Sequence, residues 1–186
     1  MRTFIAIELA PPLKRTLVSL LRGLPRADGV RWVTDNQLHL TLKFLGEVGD
    51  TQITKVCDIA AAACAQVQPF PLRLKGLGVF PAPRNPRVLW CGVEDPTASC
   101  RRWVDLADPP LTEMNYKPET RAFTPHITLG RSRSSAGSNV LRDVLESATP
   151  PETGEMLVDR VVVFESILRP AGAVYKAIAT VHLAPQ

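Results

Sequence analysis

Histidine is scarce in this chain, with three copies in 186 residues. Any chemistry that leans on imidazole must use most of them. Cysteine is sparse too: four copies, no C-x-x-C pair and no Cys/His cluster at zinc spacing, which excludes a zinc finger or ribbon and a dithiol redox centre. Cys57 and Cys64 share one apolar helical stripe and read as buried free thiols. No apolar run approaches the length of a membrane span. The start, Met1 to Pro12, does not read as a signal peptide, because Glu8 interrupts its apolar run. A reducing, cytoplasmic setting without membrane contact is therefore expected. Neither sign of charge dominates: 22 Lys and Arg against 18 Asp and Glu leave a net charge of +4, compatible with an anionic substrate but too mild to argue for nucleic acid alone.

Against that background two strings stand out, His39-Leu-Thr-Leu42 and His126-Ile-Thr-Leu129, in opposite halves of the sequence. A His and a Thr two residues apart on a strand point to one face, and the apolar residues beside them point to the other. One such string on a strand is ordinarily packing or accident. Two copies that consume two of three histidines are hard to assign to chance. Brought together, they supply two proton-transfer groups and two hydroxyl donors around one small space, which suits acid–base chemistry on a phosphodiester with no metal and no cofactor.

The periodicity predicts interspersed strands and helices with no low-complexity tract or long linker. Apolar runs at Thr3–Leu9, Val30–Val33, Leu38–Leu45, Leu72–Val79, Val88–Val93 and Phe123–Gly130 read as strands. Pro11-Pro12 open a helix that stops at Gly23, and Asp50 reads as the N-cap of a second. A third helix is expected over Ala98–Leu106, ending before Pro109-Pro110, and a fourth over Asn139–Ser147, preceded by a mobile polar loop at Arg131–Ser138. Met156–Ser166 and Val174–Leu183 read as a closing hairpin. The fold class expected is α+β: two similar lobes of mainly antiparallel sheet with flanking helices, within one domain spanning residues 1–186, and a site in the cleft between the two motif strands.

The strings His39-Leu-Thr-Leu-Lys-Phe-Leu-Gly46 and Pro125-His-Ile-Thr-Leu-Gly-Arg131 resemble the paired H-x-T-x signatures of the two-histidine (2H) phosphoesterases. Within that superfamily the resemblance is nearest to the RNA 2′,3′-cyclic phosphodiesterases, also called 2′-5′ RNA ligases. Arg2-Thr-Phe-Ile-Ala-Ile-Glu8, Arg31-Trp-Val33, Val79-Phe-Pro81, Pro86-Arg-Val-Leu-Trp-Cys-Gly-Val93, Phe164-Glu-Ser166 and Tyr175 extend it over nearly the whole chain, with Asp95–Arg121 matching least. The resemblance implies His39 as proton donor, His126 as proton acceptor, Thr41 and Thr128 as phosphate-oxygen donors, and Arg131 as the basic residue beside the substrate. It implies metal-independent hydrolysis of RNA-terminal 2′,3′-cyclic phosphate to a 2′-phosphate. Run in the joining direction, the same site would make a 2′-5′ linkage. The implied partner is an RNA 3′ end, tRNA fragments included, acted on by a monomer.

Other residues carry plainer readings. By strict alternation Lys43 shares the outward parity of His39 and Thr41, where it either touches substrate or is solvated, and Phe44 belongs to the core. Phe4 and Phe123 read as core ahead of base-stacking platforms. Arg84 and Arg87 read as surface charge or an RNA-tracking pair, and His182 as solvent-facing with no role. Two competitors remain at this point: a 2H phosphodiesterase for a small cyclic nucleotide or 2′-5′ oligoadenylate, and a non-catalytic RNA-binding module.

Overall fold

Among the described residues, nine strands form one antiparallel sheet with the two motif strands at its middle. The computed structural model describes residues 1–118, 122–151, 154–170 and 172–185. The strands are β1 (Arg2–Glu8), β2 (Val30–Trp32), β3 (His39–Glu47), β4 (Phe70–Phe80), β5 (Val88–Glu94), β6 (His126–Ser132), β7 (Glu155–Val158), β8 (Arg160–Arg169) and β9 (Gly172–His182). The helices are α1 (Pro11–Gly23), α2 (Ile53–Cys64), α3 (Ser99–Glu113) and α4 (Ser135–Ser147). No described helix is long and apolar enough to cross a membrane.

The neighbour order is β7-β4-β5-β6-β3-β1-β8-β9, with β2 paired to β6. Divided between β6 and β3, the sheet falls into two halves built alike, each running outward from its motif strand. Strand β4 follows the first motif in sequence but pairs with β5, and β8 follows the second motif but pairs with β1. Each half thus takes two strands from the other's stretch of chain, β4 and β5 beside β6 and β8 and β9 beside β1, which ties the two lobes together through hydrogen-bonded ladders. The ladder between β6 and β3 is a single residue pair, Leu40 opposite Ile127, and both side chains are fully buried. Burying each stabilises the junction by about 1.5–3 kcal/mol. The α+β architecture with two similar antiparallel lobes is the one the sequence led us to expect.

Several element boundaries differ from expectation. Helix α2 starts at Ile53 with Gln52 at its cap, so Asp50 lies in the preceding turn and caps nothing. Helix α3 runs through Pro109 and Pro110. A proline inside a helix costs about 3 kcal/mol or more through lost hydrogen bonds and ring clash. The stripe Trp103, Val104, Ala107 and Leu111 is buried on both sides of the proline pair and offsets that cost.

The Arg131–Ser138 segment is not a loop. Strand β6 extends to Ser132, and the Ser134 hydroxyl accepts from the Gly137 N–H at 3.1 Å to cap α4. Gly137 packs so closely on the Gly29 carbonyl that a Cβ would not fit. The expected long strand Met156–Ser166 breaks at Asp159 into β7 and β8, which pair in opposite lobes. Cys64, Cys91 and Cys100 are buried free thiols, while Cys57 is half-buried.

Candidate active site

The pairing of Leu40 with Ile127 sets the geometry of the site. Carried one residue either way, the antiparallel register puts His39 opposite Thr128 and Thr41 opposite His126, all four on the face away from the core. The cleft above them consists of two cavities of about 550 and 540 Å³, one reaching His39 and the other His126. Both are lined by Thr41, Phe44, Thr128 and Arg131. The five predicted site residues therefore converge.

Each histidine is oriented in the same way. His39 Nδ1 lies 2.8 Å from the Gln37 carbonyl, and His126 Nδ1 lies 2.7 Å from the Thr124 carbonyl. A carbonyl only accepts, so Nδ1 carries the proton and donates, leaving Nε2 free to exchange a proton in the cleft. His39 Nε2 is 3.0 Å from Thr41 Oγ1, and in the neutral ring the hydroxyl donates to it.

Aromatic rings pack around both imidazoles. Phe4 and Tyr175 stand 4.8 and 5.1 Å from the His39 ring, and Phe80 stands 5.0 Å from the His126 ring. This burial lowers the His39 pKa from its ordinary 6.5 to about 4, with the charges of Arg131 and His126 pushing the same way against the Gln37 carbonyl. The His126 pKa is lowered too, chiefly by burial, with the Thr124 carbonyl opposing and Arg131 adding to the shift.

Two expectations based on strict alternation are reversed. Pairing with β1 passes from Ala6–Thr41 to Ile5–Lys43, so Leu42 is an extra residue in β3. A bulge of this kind shifts every later side chain to the other face. Lys43 is therefore buried against Asp108 of α3 and donates to the Lys117 carbonyl at 2.7 Å, so it is neither solvated nor in reach of substrate. Phe44 is 52% exposed and lines both cavities, so it is not core.

Strand β6 has the matching bulge. Pairing with β5 passes from Trp90–Thr128 to Leu89–Gly130 and skips Leu129, which turns Arg131 into the cleft. Gly130 then faces inward beneath Trp32, where no Cβ would fit.

Among the remaining candidates, Phe4 is buried and also lines the cleft, and Phe123 is half-buried in the wall of the His126 cavity. Arg84 and Arg87 are exposed on the proline-rich loop and line neither cavity, and His182 is exposed on β9. Sequence reasoning missed Arg2, Gln37 and Ser166, which line the His39 cavity, and gave Tyr175 no role there.

Comparison with known proteins identifies the family. The family model described as LigT-like phosphoesterase matches residues 7–90 and 92–175, with one H-x-T string in each stretch. The chain belongs to that family. It is 33% identical over 177 residues to the RNA 2′,3′-cyclic phosphodiesterase of Methanothermobacter thermautotrophicus, covering 94% of each chain. It is 34% identical to the Thermotoga maritima protein of the same name, covering 96% of this chain and 93% of the other. The crystal structure of TT0787 of Thermus thermophilus superposes with a TM-score of 0.81 at 26% identity, covering 98% of both chains. The LigT-like phosphoesterase fold thus spans nearly the whole molecule.

Proposed function

We propose that this phosphoesterase hydrolyses the 2′,3′-cyclic phosphate at RNA 3′ ends to a 2′-phosphate. The observation that carries the reading is the placement of both H-x-T pairs across one strand junction, with Arg131 common to the two cavities above them. Its relatives of known name, RNA 2′,3′-cyclic phosphodiesterases, support the substrate class.

In this reading His126, neutral, takes a proton from water through Nε2 as the water oxygen bonds to phosphorus. The bond from phosphorus to the 3′ oxygen breaks, and His39 gives that oxygen its proton. The product carries a 2′-phosphate and a 3′-hydroxyl, and the two imidazoles return to their starting forms through solvent. Thr41, Thr128 and Arg131 donate to the non-bridging oxygens as negative charge gathers on them. His39 must be protonated to act, yet its burial disfavours the cation; the bound phosphodiester anion beside it favours the imidazolium and offsets that cost. A 5′-hydroxyl in place of water would give a 2′-5′ linkage by the same proton transfers.

The site draws all five residues from one chain, which supports a monomer as the working unit and residues 1–186 as one domain. Four free cysteines support a reducing, cytoplasmic setting. RNA fragments with cyclic ends, tRNA fragments among them, are the substrates this reading names.

The test is incubation with an oligonucleotide ending in a 2′,3′-cyclic phosphate, followed by phosphorus NMR of the product. A 2′-phosphate is expected. A 3′-phosphate, or an untouched substrate, overturns the reading.

A further inference from the structure

The two ends of the cleft differ in charge. The His126 end is walled by Phe80, Val88 and Phe123 and, among the described residues, has no cation besides the shared Arg131. The His39 end adds Arg2, Gln37, Ser166 and Tyr175. Arg31 belongs to the same end: on β2 it stands directly opposite Arg131 of β6, and opposed residues of an antiparallel pair point to one face. Its guanidinium lies over Gly172 at the start of β9, on the β8–β9 hairpin. Arg2 sits 5.1 Å from the Phe44 ring centroid. The charges of Arg131, Arg2 and Arg31 all reach the Tyr175 phenol and draw its pKa down against the larger upward push of burial.

Among the described residues no carboxylate pairs with any of these three guanidiniums. Like charges directly opposed across a ladder repel. One phosphate held by Arg131 neutralises one guanidinium, and two are left over.

We infer that Arg2 and Arg31 form a second anion subsite, which holds the phosphodiester on the 5′ side of the nucleotide carrying the cyclic phosphate. The inference rests on the proposed phosphodiesterase reading and narrows its substrate to an RNA strand over a lone nucleotide. Direction follows from the proton transfers. If His39 faces the departing 3′ oxygen, the ribose lies toward the His39 end and its 5′ phosphate leaves past Arg2 and Arg31. The apolar His126 end suits a base better than a second phosphate.

The experiment compares three substrates: a nucleoside 2′,3′-cyclic phosphate with no other phosphate, the same compound with a 5′-monophosphate, and a dinucleotide with a cyclic end and one internal phosphodiester. The wild type should turn over the dinucleotide with kcat/KM at least about 10-fold above the bare cyclic nucleotide, a gain that weakens with added salt. Arg2→Gln and Arg31→Gln should each reduce the gain, and the double variant should abolish it, turning over the dinucleotide and the bare cyclic nucleotide with equal kcat/KM. That last activity also reports that the variants fold. Arg31→Lys should keep part of the gain, because the charge remains.

Equal turnover of dinucleotide and bare nucleotide by the wild type overturns the subsite alone, as does a gain that survives in the double variant. A gain from the 5′-monophosphate without one from the dinucleotide points to a small nucleotide and overturns the assignment to an RNA strand. If the wild type turns over none of the three, the phosphodiesterase reading falls and the subsite falls with it.

Discussion

Phe44 and Arg131 occupy the same place in the two lobes. Each stands three residues beyond its motif threonine, and each is turned into the cleft by a one-residue bulge at the preceding leucine, Leu42 or Leu129. The residue between bulge and cleft side chain, Lys43 in one lobe and Gly130 in the other, is pushed into the interior. One backbone device thus delivers a cation from one lobe and an aromatic ring from the other to the shared centre.

The pair should separate in kinetics. Arg131→Ala removes a charge-assisted donor from the phosphate and should lower kcat/KM by about 10²-fold or more. Phe44→Ala removes a ring on which a base can stack, a contact of about 1–3 kcal/mol, and should raise KM roughly 10-fold with little change in kcat. Steady-state kinetics on one cyclic-ended oligonucleotide checks both. A loss at Phe44 confined to kcat would contradict its place as a binding surface.

The sequence showed the histidines and threonines because period-2 alternation holds as far as Thr41 and Thr128. It misplaced Lys43 and Phe44 because a bulge in a strand leaves no mark in hydrophobic alternation when leucine fills the bulged position. The matched spacing of Phe44 and Arg131 from the two motifs was the available signal. Helix α3 was cut short because Pro109-Pro110 is a strong local stop, and only the tertiary burial of Trp103 and Leu111 overrides it. The Ser-rich segment after Arg131 looked mobile by composition, yet its serines cap and brace α4. The crossing of β4 and β8 between lobes depends on long-range pairing that local pattern does not contain.

Acidity should govern the rate in a particular way. Burial lets His39 hold its proton only below about 4, and the proposed reaction needs His126 neutral as base. The kcat/KM profile, which reports the free enzyme, should therefore peak on the acid side of 6.5 and fall across neutral pH. The bound phosphate anion raises the His39 pKa, so the alkaline limb of kcat should lie at higher pH than that of kcat/KM. Both limbs are properties of the coupled pair. Coincident alkaline limbs would contradict the substrate-assisted protonation of His39.

The same burial links stability to pH. Between about 4 and 6.5 the unfolded chain binds a proton at His39 and the folded chain does not, so this contribution is complete above 6.5 and is lost as pH falls through that window. Thermal unfolding of His39→Gln should show a flatter dependence on pH there than wild type. An unchanged slope would show that His39 is not held neutral by the fold.

Behind the cleft, Lys43 and Asp108 join β3 to α3 as a largely buried ion pair. Asp108→Ala leaves the ammonium buried without its carboxylate and should destabilise the fold by about 3 kcal/mol in chemical denaturation. The double replacement Lys43→Met with Asp108→Leu should recover much of that loss. Because Lys43 faces away from the cleft, the folded double variant should keep kcat within about twofold. A collapse of kcat in a well-folded double variant would return Lys43 to the site.

Both proton transfers are assigned to side chains, so hydrolysis should persist in an excess of EDTA at the rate seen without it. Loss of activity on chelation, restored by one particular divalent ion, would replace the histidine pair with a metal mechanism.

The central claim is that His39 and His126 act as one acid–base pair on a cyclic phosphate, and alanine replacement of each tests it most directly. On a cyclic-ended oligonucleotide, His39→Ala and His126→Ala should each lower kcat by about 10²–10⁴-fold, Thr41→Ala and Thr128→Ala should cost less, and His182→Ala should be near silent. The double histidine variant should lose little more than the worse single one, because removing either group disables the pair. A His39 variant that turns over at the wild-type rate, or a large loss at His182, would contradict the account.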